Sequence, residues 1–587
     1  MGKDDEKKDF KSFADLMKAK SGKDAEPEPE KPDDGPGWTL ETGDEVQGAK
    51  DFEDFEGSSR ERIDARPPGF GPMTHGPAVY ADEHSEEMEL LASFRVRTVF
   101  PKGVLEEVAK LPPDPTEQDF ADREDLRDAT IFTIDGADAK DYDDAIQIRE
   151  VDGGVEVSVH IADVAHYVVP GTNLDDEALA RATSVYVADQ VVPMLPEELS
   201  NGLCSLVEGR PRLAYSVRMT FDAKGERTAA RVHKSVIHSK KRCTYKAVQE
   251  LLDKADTEEA EALAFLEPEL RLFEQWTRVQ QGKREQRGAF NMDSTEKKFV
   301  FDDKHEVTAI VDAPRYFSQK LIEETALAAN QAVGDLFRER GLPTIYRVHP
   351  EKDPDEIAAV AKMLLEHGLR VPDKDRLTGR DIARLIRAAR RKTNADALIQ
   401  RIMGLIERAV YEVHDHEDVA THFGLAREAY LHFTSPIRRY PDLLVHRWLW
   451  AIESRGEAAE GELKAEALVQ DMNDIAAHCS LRADLAEMTE RAIADLKVCQ
   501  YMEPHIGEKL DALVRRVSMG GIEVFLKDYN VTAFLPRRSI GERGELKGAT
   551  LNVRVGRAMK SFTEGYPIHV KLKDVDFLRL QVLLELA

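Results

Sequence analysis

The stretch Ile134-Asp135-Gly136-Ala137-Asp138-Ala139-Lys140-Asp141-Tyr142-Asp143-Asp144-Ala145 places five carboxylates within the ten positions from 135 to 144. IFTID (131–135) before it and AIQIREV (145–151) after it both read as strands, so the cluster falls where the chain must turn. Like charges at that density are costly unless something neutralises them. A hard divalent cation is one remedy, because Mg2+ favours carboxylates, water and substrate phosphate. Two such ions can hold the attacking and leaving oxygens of a phosphodiester. A solvated acidic loop is the other reading, and composition alone does not separate the two. A calcium loop fits less well, since no acidic residue follows the central glycine at the spacing such loops need.

Outward from the cluster, VEVSVHIADV (155–164) is a third strand, joined to the second through Asp152-Gly153-Gly154 as a hairpin. Further along, the pattern turns helical at 318–340, 355–368 and 441–453. Strands first and helices later predict an α+β domain over 129–504. Residues 505–587 return to short strands (LDALVRRV, GIEVFLK, VTAFLP, LNVRVGRAM, YPIHVKLKDV, FLRLQVLLEL), which suit a small all-β OB-type barrel of about five strands. EEMELLASF and GVLEEVAKL make 67–128 a small helical segment or a linker. Residues 1–66 read as an acidic, disordered tail, solvated or docking a protein partner through Phe10, Phe13, Leu16 and Met17.

A second chemical signal is HFTSPIRRYPDLLVHR (432–447), where Ser435-Pro436 reads as a helix start that would hold Arg438 and Arg439 near a positive helix end. Phosphate binding and simple pairing with the acid-rich body are both open readings there. His414, His416, Glu417 and Asp418 imitate a metal cluster but read as a solvated loop, and His160 reads as a satisfied core histidine. The four cysteines form no CxxC pair and read as ordinary thiols of a reducing cytoplasm. No apolar run approaches the ~20 residues of a membrane helix, and no apolar signal stretch opens the chain.

Taken in order, IDGADAKDYDDA, HIADVAHYV, TSVYVADQVVPMLPEELSNGLCSL, LIEETALAANQAV and HFGLAREAYLHFTSPIRRYPD resemble the catalytic (RNB) domain of the ribonuclease II/ribonuclease R family, with the C-terminal barrel resembling its S1-type OB domain. The resemblance covers roughly 120–504 and the barrel. It implies a processive, hydrolytic 3′-to-5′ exoribonuclease that degrades single-stranded RNA with a free 3′ end to nucleoside 5′-monophosphates, with Mg2+ or Mn2+. It implies that Asp135, Asp141, Asp143 and Asp144 hold metal, with Asp143 directly catalytic and Asp138 only a turn residue. Arg438 would stabilise charge on the scissile phosphate, with Arg439 structural. Tyr186 and Phe290 would stack on the terminal bases. Glu323 would contact the terminal ribose, Glu490 would read the 2′-hydroxyl, and Tyr245 would sit near the ribose site. Asp163 and His432 would support the centre from behind. The resemblance also implies a cytoplasmic monomer.

One departure stands out. The ordered-looking residues before this catalytic domain are too few for the two cold-shock domains that usually precede it, so that RNA clamp reads as absent or replaced, and the RNA entrance is expected between the barrel and residues 67–128. The net charge of −28 (82 basic, 110 acidic) argues at first against an RNA partner. It is unevenly spread. Residues 1–128 hold 18 basic and 34 acidic side chains, a net of −16; residues 505–587 hold 14 and 10, a net of +4. The expected RNA-binding barrel is thus the basic part.

Overall fold

The computed structural model describes residues 86–188, 190–289, 296–303, 306–372, 377–392, 395–415, 421–547 and 550–587. The proposed tail (1–66), Phe290, His416, Glu417 and Asp418 lie outside the described residues.

Two helices, α1 (Glu86–Ser93) and α2 (Lys102–Val108), lead into a seven-stranded sheet. Its strands are β1 (Glu124–Leu126), β2 (Phe132–Asp135), β3 (Asp144–Val151), β4 (Gly154–Ala162), β7 (Pro211–Asp222), β8 (Arg227–His238) and β9 (Lys241–Thr244). The spatial order is β1-β8-β7-β4-β3-β2-β9; β1 runs parallel to β8 and β2 parallel to β9, and the other pairs are antiparallel. The expected hairpin between β3 and β4 turns at Gly153, whose φ of +80° suits a glycine. At Gly154 a Cβ would come within 1.9 Å of the Phe221 carbonyl oxygen, so the close approach of β4 and β7 needs a residue without one. β4 is buried on both faces from Val157 to Ala162, as expected of a covered central strand.

The short pair β5 (Val185–Val187) and β6 (Gln190–Val192) and the ribbon β10 (Lys297–Phe301)–β11 (Val307–Asp312) lie outside the main sheet. Helices α3 (Asn173–Arg181), α4 (Tyr245–Leu252), α5 (Glu267–Arg287) and α6 (Phe317–Glu339) join its core, where Phe132 meets Phe273 edge to face at 6.2 Å. β12 (Thr344–Val348) pairs with β13 (Val410–His414). Between them α7 (Pro354–Glu366), α8 (Gly379–Ala389) and α9 (Ala395–Met403) pack round their own apolar cluster. After α10 (Tyr440–Arg455), the 37-residue α11 (Glu466–Met502) runs from the main core, at Ile493 and Leu496, into the barrel core, at Cys499 and Met502.

The described part of 67–128 packs into the same core as the sheet, through Leu90, Leu91, Phe100 and Val104, and β1 forms the sheet's edge. The buried pair Lys497–Glu87 (2.8 Å) ties α1 to α11. The C-terminal barrel closes from β16 (Lys509–Val517), β17 (Gly521–Leu526), β18 (Val531–Pro536), β22 (Pro567–Asp576) and β23 (Gln581–Leu586). LNVRVGRAM is not one of its strands. It divides at Gly556 between β20 (Thr550–Val555) and β21 (Ala558–Thr563), which form a separate sheet with β19 (Glu542–Lys547).

Candidate active site

The aspartate loop joins β2 to β3 at one end of the seven-stranded sheet. Asp135 is the last residue of β2 and Asp144 the first of β3, so the two strands fix the ends while 136–143 bulges between them. Backbone and side-chain bonds pin the bulge. Tyr142 N–H donates to Ser205 Oγ (3.0 Å), Ser205 Oγ–H donates to the Lys140 carbonyl (2.7 Å), and Leu206 N–H donates to the Tyr142 carbonyl (3.0 Å). Asp143 is buried; Asp135, Asp141 and Asp144 are half-buried, and Asp138 is exposed beside Lys298 at 3.6 Å.

The SPIRR segment, 294 positions downstream, meets this loop directly. Ile437 N–H donates to Asp143 Oδ1 (2.9 Å), and Arg438 Nε lies 3.6 Å from Asp143 Oδ2. The guanidinium of Arg438 remains 42% exposed, so it can also face a ligand. Residues 436–438 form a turn, and α10 begins only at Tyr440, with Pro441 in its first turn. Pro436 is therefore not the helix-start proline, but Arg439 is the N-cap of α10 and Arg438 immediately precedes it, so both lie at the helix start as expected. That turn is held by Asp442, which accepts Ser435 N–H (2.8 Å) and pairs twice with Arg439 (2.8 Å each). Arg439 is thus structural.

The 183–187 segment joins the same turn: Ser184 N–H donates to the Arg438 carbonyl (3.0 Å). Two residues on, the Tyr186 hydroxyl donates to Asp141 Oδ2 (3.2 Å), and Tyr186 N–H donates to Glu490 Oε1 (2.9 Å) on α11. Its ring stays 38% exposed, open to a stacking partner. Tyr245 opens α4 directly after β9, close enough for the Asp144 and Asp135 charges, after burial, to raise its phenol. Glu323 on α6 is bound instead by Arg284 (2.5 Å), with no hydrogen bond or ion pair to the aspartates among the described residues. Asp163 pairs with Arg123 (2.7 Å) and Lys234 (3.0 Å), and His432 bonds Tyr411 (2.9 Å); neither contacts the aspartates. His160 is half satisfied, with Nδ1 on Ser216 (2.6 Å) and Nε2 without a partner among the described residues.

Burial dominates the electrostatics. Burial, reinforced by the Asp144 charge, pushes Asp135 up to about 8. Burial pushes Asp144 up to about 6 and Asp143 well above the carboxylate range, and also raises Asp141; Arg438 pulls all three down. Burial thus makes it unfavourable for these carboxyls to ionise together with Arg438 as their nearby cation. Asp135 Oδ2 is buried without a hydrogen-bond partner among the described residues. Oxygen-only donors with an orphaned lone pair fit a hard divalent cation. Among the described residues no three acidic, histidine or cysteine side chains converge into a ready-made cage.

A groove of 1340 Å³ leads from Asp141 past Tyr186 and Glu490 to the barrel at Asn530–Thr532. Its far wall is the β10–β11 ribbon, and none of the described residues of 67–128 lines it. Sequence reasoning missed Lys297 and Lys298 in this wall, and Arg242 beneath the aspartate loop. Nothing local marks these residues; only the strand pairing brings them in. All four cysteines are free and buried, and no helix among the described residues is long and apolar enough to cross a membrane.

Comparison with known proteins agrees with this geometry. The RNB domain family model matches residues 123–455. Ribonuclease R of Thermotoga maritima is 36% identical over 487 residues, covering 82% of this chain and 67% of that protein. The chain spans between 54% and 67% of the length of its ribonuclease R relatives from T. maritima, Lactococcus lactis and Escherichia coli. Mycoplasma genitalium RNase R, solved in complex with ribose methylated single-stranded RNA, superposes with a TM-score of 0.74 at 25% identity, covering 86% of this chain and 79% of that chain. Yeast Ssd1, a pseudonuclease, shares the fold at a TM-score of 0.60 and 18% identity, covering 81% of this chain and 59% of its own. With more than half of its residues matched by that family model, and with the aspartate loop and the SPIRR turn meeting inside the matched span, the chain belongs to the RNB-domain family.

Proposed function

We propose that the chain is a hydrolytic 3′-to-5′ exoribonuclease that degrades single-stranded RNA processively to nucleoside 5′-monophosphates. The observation that carries this is the meeting of Asp143 with Ile437 N–H and Arg438; Asp143 stands two positions from Asp141, which lines a groove together with Tyr186 and Glu490. The ribonuclease R relatives point the same way.

In this reading Asp135, Asp141, Asp143 and Asp144 hold two Mg2+ or Mn2+ ions. Bound there, the ions would activate water and neutralise phosphate charge. The chain's own groups do the rest. Arg438, half-exposed beside Asp143, stabilises the negative charge that builds on the scissile phosphate. Tyr186 offers its ring to the terminal base, and stacking accepts any base, as a non-specific degrader requires. Glu490, fixed by Tyr186 N–H, is placed to read a 2′-hydroxyl and so to separate RNA from DNA. Tyr245 borders the ribose, and Glu323 and Phe290 complete the 3′-terminal contacts. The net-basic barrel guides single-stranded RNA with a free 3′ end along the groove. The monomeric state and the cytoplasmic setting belong to the same proposal, as does a protein partner for the acidic N-terminal segment.

A second reading is a non-catalytic RNA-binding protein. It is favoured by two observations: a pseudonuclease shares the fold, and the carboxylates do not converge into a cage. One assay separates the readings: single-stranded RNA and DNA, labelled at the 3′ or the 5′ end, with Mg2+ or with chelator. Nucleoside monophosphates from RNA alone, lost on chelation, support hydrolysis; binding without product supports the alternative. Asp143→Asn is expected to cut turnover by about a thousandfold or more while RNA binding stays within threefold. A variant that kept its activity would remove Asp143 from the mechanism.

A further inference from the structure

Arg242 lies on β9, paired with Thr133 of β2, directly beneath the aspartate loop. Its Nη2 donates to the carbonyls of Gly136 (2.8 Å) and Ala137 (2.5 Å), the two residues that follow Asp135. The same guanidinium lies 5.7 Å from the ring centroid of Tyr142, which stands between Asp141 and Asp143. The Tyr142 hydroxyl in turn donates to the Ala139 carbonyl (2.8 Å), closing the loop on itself. One side chain therefore grips both ends of the loop: the exit of β2 and the approach to β3. Its contacts are carbonyls and a ring face, so Arg242 forms no ion pair with any of the four aspartates among the described residues. Both carbonyl bonds leave one guanidinium nitrogen, so the rest of the planar group is left to face the Tyr142 ring; a lysine ammonium has donors for the carbonyls but no flat face to set against that ring.

A residue used only for stability would be expected to satisfy its donors. Here Nε is buried and without a partner among the described residues. The guanidinium is otherwise half-exposed, so one buried donor is left unsatisfied at the point where the loop geometry matters most.

We propose that Arg242 is the positioning residue of the centre, setting the distance between Asp135 and the Asp141–Asp143–Asp144 group and thereby the affinity for divalent cations. The inference rests on the cation-binding reading of those aspartates. Arg438 approaches them from the SPIRR turn and is left free to face phosphate, whereas Arg242 works from behind through the backbone. Residues that orient ligands in this way typically change metal affinity by 10- to 100-fold when removed.

The test measures Mn2+ binding to the full chain without RNA, by titration calorimetry and by Mn2+ paramagnetic resonance, in the wild type, Arg242→Met and Arg242→Lys. Melting is followed without metal in all three. Arg242→Met keeps the length of the side chain and removes the guanidinium; its Mn2+ affinity is expected to fall by about tenfold or more. Arg242→Lys keeps donors for the carbonyls but loses the planar face beside Tyr142, and is expected to fall between the two. Should Arg242→Met fail to fold, Arg242→Lys alone decides. Folded variants that bind Mn2+ within twofold of the wild type would overturn the role of Arg242 and leave the cation site standing. A wild type that binds no Mn2+ would instead overturn the cation reading beneath it, and this proposal with it.

Discussion

The RNB-domain body and the C-terminal barrel bury different chemistry. The barrel core is aliphatic and aromatic, from Leu510 to Leu584, and among its described residues no polar or charged side chain is buried. The body buries Asp143, the Asp163–Arg123 and Arg97–Glu177 pairs, Lys497 with Glu87, and His160 and His446. Desolvating such groups is unfavourable unless each finds a partner, and the partners must then stay in place. The barrel could be repacked with other apolar residues of similar volume. The body cannot, because its polar network positions the loop, the turn and the helices that meet at Asp143. A generic guide is thus joined to a specific centre, and α11, with one end in each core, is the joint.

The largest effect expected from this contrast is at that joint. Lys497→Met removes the buried ammonium that Glu87 shares with Gln500 Nε2 and is expected to destabilise the body by about 3–5 kcal/mol. Chemical denaturation followed by tryptophan fluorescence measures it. A loss below about 1 kcal/mol would show that the clasp between α1 and α11 is dispensable.

Leu535→Ala, in the barrel core, is expected to cost about 2–5 kcal/mol through its cavity. In this case the damage should stay local. Peptide-resolved hydrogen exchange should show β17 and β18 opening while β3 and β4 stay protected, and cleavage of four-nucleotide RNA should remain within threefold of wild type. Equal loosening of both regions would mean that the barrel and the body unfold as one unit.

A smaller effect concerns pH. Burial lowers His160 to about 3 and His446 to about 4. A histidine whose folded pKa lies below its unfolded value, near 6.5, contributes stability that is complete above that value and lost as pH falls toward the folded one. The raised aspartates act in the opposite sense, so the comparison is made between wild type and His160→Asn, which cancels them. The stability difference between the two is expected to shift against the wild type by more than about 1 kcal/mol from pH 7 to pH 4.5. A flat difference would mean that His160 does not become protonated as the body unfolds.

The smallest effect belongs to Asp138, exposed beside Lys298. Asp138→Ala should change stability by less than about 1 kcal/mol and activity by less than twofold. A larger loss of activity would add a fifth aspartate to the centre.

What could be read from the sequence follows the same division. β2, β3, β4 and the turn at Gly153 were legible because alternation and turn chemistry are local signals, and the density of aspartate marked the loop between them. The barrel strands were legible for the same reason, apart from LNVRVGRAM, where Gly556 splits one apparent strand into two. β7, β8 and α11 were not singled out, since strands and helices covered on several faces lose their simple periodicity. The start of α10 was misplaced because Ser435-Pro436 and Tyr440-Pro441 both carry a start signal, and Asp442, which decides between them, acts through tertiary bonds. The pairing of Asp143 with Arg438 followed from resemblance. Arg242 was invisible, because its partners on the loop are more than a hundred positions away and its contacts are with backbone carbonyls.

The central claim is that the aspartate loop and the SPIRR turn form one cation-dependent centre beside the groove. The most direct measurement is a crystal structure of Asp143→Asn with Mn2+ and a short single-stranded RNA, using anomalous diffraction to locate the metal. The account predicts an anomalous peak among Asp135, Asp141 and Asp144, with the 3′-terminal phosphate facing Arg438 and the last base against Tyr186. RNA bound along the barrel with no metal at the loop, and no phosphate near Arg438, would contradict it.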